Sequence, residues 1–209
     1  MQIDKDTQIL IDERLKNNAP ALESFTPQEL RALRAKMAET PLELRVDISD
    51  VEDLSVKGTL GDIPIRKYFN SSTSDPKHKT SPLIIYFHGG GFVMGDLESH
   101  DLVCRHLCKE AKATIIAVDY KLAPEHKFPA PVIDTKDAIT KILERAEEFN
   151  FDPNKVILCG DSAGGTLATV GTIMSRDNVI PKVHGQILVY PWVDMTMCRR
   201  SMDIELEGM

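Results

Sequence analysis

The spacing of apolar residues along this chain changes character between its N-terminal segment and the remainder. Residues 1–40 read as two short amphipathic helices. In the second, Leu30, Leu33 and Met37 recur on one helical face. Thr26, Pro27, Gln28 and Glu29 precede that face as a capping box with proline at the first helical position, and Pro41 marks the stop. From residue 44 the period shortens. Leu44, Val46, Ile48 and Val51 begin an extended stretch, and residues 63–69 read as a second strand pairing with it. Residues 70–82 are polar and read as a surface loop. Beyond them, short apolar runs at 83–87, 114–118, 156–159 and 183–190 alternate with helical patterns at 97–111, 132–149 and 163–176. In the 132–149 helix, Val132, Ile139, Ile142, Ala146 and Phe149 are expected inward. Strands that are apolar throughout, separated by helices, predict a mostly parallel sheet covered on both faces. The expected division is a helical unit at 1–43 and an α/β core at 44–209.

Composition narrows the partners. The 209 residues are 42% hydrophobic and 27% charged, an ordinary globular balance. A formal net charge of -7 argues against nucleic acid and leaves small molecules as the natural ligands. The acidic N-terminus lacks the apolar stretch of a signal peptide, and no run reaches the roughly 18 residues needed to span a bilayer. Cys104, Cys108, Cys159 and Cys198 show no C-x-x-C spacing, so reduced thiols and a cytoplasmic location are expected.

Two motifs carry chemistry. Gly160-Asp161-Ser162-Ala163-Gly164 lies directly between a strand and a helix, where a nucleophile elbow would raise Ser162 above the sheet. Such a turn needs neighbours without side chains, and Gly160, Gly164 and Gly165 meet that need. His88-Gly89-Gly90-Gly91-Phe92 follows the 83–87 strand, the position of an oxyanion loop. The expected N–H donors are Gly90, Gly91 and Ala163. His88 precedes Ser162, the wrong order for a general base in this arrangement, so it is expected to orient the glycine loop beside Gly89. His126, in the proline-rich segment 119–130, reads as scaffold beside the site. His100, Cys104 and Cys108 have helical spacing that could bind zinc, but His106 lies off that face, so no metal is assigned.

These motifs closely resemble the hormone-sensitive-lipase-like, or family IV, carboxylesterases of the α/β-hydrolase superfamily. The matching pieces are IIYFHGGGFVMGDLESH (84–100), DYKLAPEHKFPA (119–130), FDPNKVILCGDSAGGTLA (151–168) and LVYPWVD (188–194). The resemblance implies the α/β-hydrolase fold and hydrolysis of short- or medium-chain esters through an acyl-enzyme, without a cofactor. It also implies that the N-terminal helices form a cap; a plain surface layer is the alternative. The family's acid and histidine come after the YPW segment, and the last strands of its sheet are expected to be missing here. Among Asp177, Asp194, Asp203 and His184, none matches the family's acid or base motif, and His184 is expected to enter a buried strand. Without a base, activity should fall by about 10⁶-fold. The 183–190 strand should then form an open apolar edge that favours aggregation or pairing with a like chain. A non-catalytic small-molecule binder on the same fold, like the related hormone receptors, is the second reading; a remnant with neither role is the third.

Overall fold

The computed structural model describes residues 4–17, 20, 24–37, 44–71 and 80–196. Pro41, Cys198 and Asp203 lie outside these residues, as do most of the 70–82 loop and the side chain of Met37.

Two helices lead the chain, α1 (Lys5–Lys16) and α2 (Pro27–Met37). At the start of α2 the capping box is formed: Glu29 N–H donates to Thr26 Oγ1 at 3.3 Å, and Thr26 N–H to the Glu29 carboxylate at 2.7 Å. A hairpin follows, β1 (Asp50–Gly58) and β2 (Gly61–Phe69), antiparallel with Gly58 opposite Gly61. The first strand thus starts later than the Leu44–Val51 pattern predicts. As an edge strand, β1 gives only Leu54 and Val56 to one core and Val51 to the other, so its polar sequence gives little signal.

The rest is β3 (Ser81–Phe87), α3 (Asp101–Ala111), β4 (Thr114–Val118), α4 (Ala130–Leu143), α5 (Ala146–Phe149), β5 (Phe151–Asp161), α6 (Ala163–Arg176) and β6 (Gly185–Val189). The six described strands lie in the order β1-β2-β4-β3-β5-β6, with β4, β3, β5 and β6 parallel. Period-two alternation sends Leu83, Ile85 and Phe87 to a core shared with α4, α5 and α6, and Ile84 and Tyr86 to a second core under α3. Both faces are therefore covered, which is why β3 and β4 read as unbroken apolar runs.

The predicted 132–149 helix is two helices. Arg145 donates to Ser55 O at 3.0 Å and lies 4.3 Å over the Phe149 ring, and Asn150 turns into the left-handed region (φ 58°). This stop lets Phe149 and Phe151, two residues apart, both enter the core. Of the positions expected inward, Ile139, Ile142 and Phe149 are buried, while Val132 and Ala146 pack partly buried against them. No helix among the described residues is long and apolar enough to cross a membrane.

Candidate active site

Parallel strands end together, so the C-terminal ends of β3, β4 and β5 bring their following loops to one rim. At the end of β5 the chain turns sharply into α6, and Ser162 takes φ 49°, ψ -117°. A non-glycine residue reaches this region only when its surroundings impose it. They do so by hydrogen bonds and by contact. Ser162 N–H donates to Val189 O at 3.0 Å, and Ser162 O accepts from Thr166 N–H and Trp192 N–H. A Cβ on Gly164 would stand 1.9 Å from Phe87 O, so the start of α6 is pressed against the end of β3.

The loop after β3 lies against this elbow. Gly89 N–H donates to Asp161 Oδ1 at 2.9 Å, tying the loop to the residue before Ser162. Gly90 (φ 129°) turns so tightly that a Cβ would fall 2.0 Å from Met94 O, and its own carbonyl accepts from Val93 and Met94 N–H. Gly91 and Phe92 follow with φ 62° and 63°. The N–H groups of Gly90, Gly91 and Ala163 donate to no other described residue.

His88 lies at the end of β3, beside the glycine loop. It is buried, its Nδ1 lies 2.9 Å from Gly89 O, and its ring stacks on Tyr120 at 4.3 Å. Tyr120 O–H donates to His88 O at 2.7 Å. Burial pulls the His88 imidazole down to about 4, so it is neutral at pH 7. Its Nε2 is 3.8 Å from Asp119, too far for a hydrogen bond. Burial and the neighbouring Asp96 charge push the Asp119 carboxyl up to about 6.

Asp161, expected from the sequence to support the site, is the hub of a buried polar cluster whose other side chains the sequence does not mark. Besides Gly89, its Oδ1 accepts from Tyr86 O–H at 2.7 Å and lies 3.4 Å from His100 Nε2. Burial alone would raise this carboxyl, but the bonds from His100, Tyr86 and Gly89 outweigh it and hold it at about 2. His100, weighed above with Cys104 and Cys108, is thus turned to Asp161 and, at 2.9 Å, to Ser99 Oγ. The two cysteines lie on the buried face of α3, and burial pushes both thiols up. No local pattern marks Tyr86 or His100 as part of this cluster.

The downstream candidates lie elsewhere. His184 is exposed and precedes β6 rather than entering a buried strand, because β6 is itself the half-exposed edge. It pairs with Val156, whose carbonyl accepts from His184 N–H at 2.7 Å. Val156 is six positions before Ser162, or about 20 Å at the usual strand rise. Asp177 caps the far end of α6 and pairs with Arg176. Asp194 accepts from Thr196. A cavity of about 500 Å³ opens beside the first turns of α6, walled by Phe92, Ala123, Phe128, Val132, Leu167 and Met195.

Known proteins resemble this chain in sequence and in fold. A family model of the alpha/beta hydrolase fold matches residues 84–207. Carboxylic ester hydrolase LipN of Mycobacterium tuberculosis is 41% identical over 160 residues, covering 74% of this chain and 41% of LipN. An arylesterase of Saccharolobus solfataricus is 32% identical over 186 residues, covering 88% of this chain and 59% of that protein. The structure superposes on an esterase of Pyrobaculum calidifontis with a TM-score of 0.74 and 39% identity, over 80% of this chain and 53% of that one. An ester hydrolase from the Lake Arreo metagenome matches with a TM-score of 0.83 and 32% identity, over 96% and 64%. The chain spans about half the length of the curated relatives it matches.

Proposed function

We infer that this chain, which belongs to the α/β-hydrolase fold family, carries the nucleophile and oxyanion-binding parts of a serine hydrolase acting on carboxylic esters. The observation that supports this most is Ser162 held at positive φ between β5 and α6, with the glycine loop tied to the adjacent Asp161. Ser162 Oγ attacks the ester carbonyl carbon, and the carbonyl oxygen becomes an anion. Free N–H groups of Gly90, Gly91 and Ala163 stabilise that charge; losing one such donor typically costs about 10²–10³-fold in rate. The alcohol then leaves, and water releases the acid from the acyl-serine. The apolar cavity takes the acyl chain, which the family resemblance puts at short to medium length. No cofactor enters this chemistry.

None of His88, His100 and His184 is placed to take the Ser162 proton. His88 is occupied by Gly89 and Tyr120, His100 by Asp161 and Ser99, and His184 is remote. The second reading is a small-molecule binder that keeps the pocket without turnover. A fluorophosphonate separates the two, because it labels only an activated serine. In the full-length gene product we expect stoichiometric labelling at Ser162 and turnover of p-nitrophenyl esters, both abolished by Ser162→Ala. Turnover that survives Ser162→Ala refutes the nucleophile. Ester binding with no labelling establishes the binder. The free, buried thiols of Cys104, Cys108 and Cys159 fit a reducing cytoplasmic setting.

A further inference from the structure

We propose that Arg31 of α2 is a positioning residue for acyl-chain selectivity, acting through the two loops that wall the apolar cavity. The proposal rests on the esterase reading above. One guanidinium makes four hydrogen bonds. Its Nε donates to Val93 O at 2.8 Å, and one Nη donates to Ala123 O at 2.8 Å. The fork closes on Glu125, at 2.9 Å and 2.8 Å to its two carboxylate oxygens. Val93 follows the cavity residue Phe92 in the glycine loop, and Ala123 is itself a cavity residue. The two loops also touch directly, Ala123 N–H donating to Phe92 O at 2.8 Å. Arg31 therefore fastens both walls to one helix of a separate N-terminal segment.

An exposed ion pair would carry little weight, and Arg31 and Glu125 are 31% and 43% exposed. The two backbone carbonyls change the case. Each is part-buried and receives a charged donor, and only a planar guanidinium reaches both while also gripping a carboxylate. The hydrogen bonds that Glu125 accepts from Arg31 leave a signature on the acid, drawing its carboxyl down to about 2. By contrast, the turn that presents Gly90 and Gly91 closes on itself through Gly90 O, independently of Arg31. Loss of Arg31 should thus loosen the cavity wall more than the oxyanion-binding turn.

The test uses the full-length gene product with p-nitrophenyl acetate, butyrate and octanoate. In Arg31→Met, KM for octanoate should rise about tenfold, as expected for losing charged hydrogen bonds to the wall, while kcat and KM for acetate stay within about twofold. Arg31→Lys should recover thermal stability but not the octanoate preference, because an ammonium cannot span both carbonyls. If Arg31→Met does not fold, Glu125→Gln, which weakens the fork and keeps both carbonyl bonds, should give a smaller shift in the same direction. An unchanged ranking of the three esters with only a lower Tm overturns the proposal, as does an equal loss on all three. Ser162→Ala serves as the control: turnover that survives it refutes the esterase reading, while the Arg31 proposal is judged on ranking alone.

Discussion

Replacing Asp161 by asparagine removes one charge from the hub and changes almost nothing in size. In the native chain the carboxylate is about nine-tenths buried and receives Tyr86 O–H, Gly89 N–H and the His100 imidazole on one oxygen. Burial alone would raise its pKa, yet these bonds lower it from 3.8 to about 2. A carboxyl depressed to that extent stabilises the fold by roughly 2 kcal/mol when ionised. The sign follows from the direction. With the folded value below the unfolded one, this stability is fully present above about pH 4 and is lost as pH falls through 2. The asparagine amide would retain an acceptor oxygen but not the charge. Asp161→Asn should therefore be less stable by roughly 2 kcal/mol at pH 5 and by roughly half of that at pH 3. Urea unfolding of both forms at the two pH values measures the gap. Tyr86 stays neutral throughout because burial drives its hydroxyl upward, and His88 titrates in both forms, so its share largely cancels in the difference. A gap that does not change between pH 5 and pH 3 would show that shape, not charge, makes Asp161 useful.

Three further outcomes follow from the same structure. Gly164→Ala should cost about 3 kcal/mol in urea unfolding, since the added methyl would meet Phe87 O at 1.9 Å and His88 O at 2.6 Å, both of them backbone. Burial depresses His88 from 6.5 to about 4, so it lowers stability as pH falls from 6.5 towards 4, by about 1.4 kcal/mol per pH unit; His88→Gln should remove that slope. Reading the difference between wild type and His88→Gln also cancels Asp119, whose raised carboxyl acts in the opposite sense. Finally, β6 pairs only with β5 among the described residues, and Ile187 and Val189 on it are exposed. The 209-residue chain should therefore self-associate in sedimentation velocity, and Ile187→Lys should shift it toward monomer.

What could be read from the chain alone was what neighbouring residues settle among themselves. The Thr26–Glu29 box, the limits of β4 and α6, and the need for glycine around Ser162 all arise from sterics and hydrogen bonds within a few positions. Burial of β3 on both faces was likewise visible, because each residue of an apolar run must go somewhere dry. Tertiary structure decided the rest. Gly89 meets Asp161 across 72 positions and Arg31 meets Glu125 across 94, and no local pattern joins either pair. The break at Arg145 depended on Ser55 O, supplied by a strand far earlier in the chain. The late start of β1 depended on its place at the edge of the sheet. His184, close to Ser162 in number, is separated from it by about half the length of β5 because the register sets it beside Val156. Local sterics are written in consecutive residues. The partners of buried polar groups are set by strand order and register, which exist only once the sheet has formed.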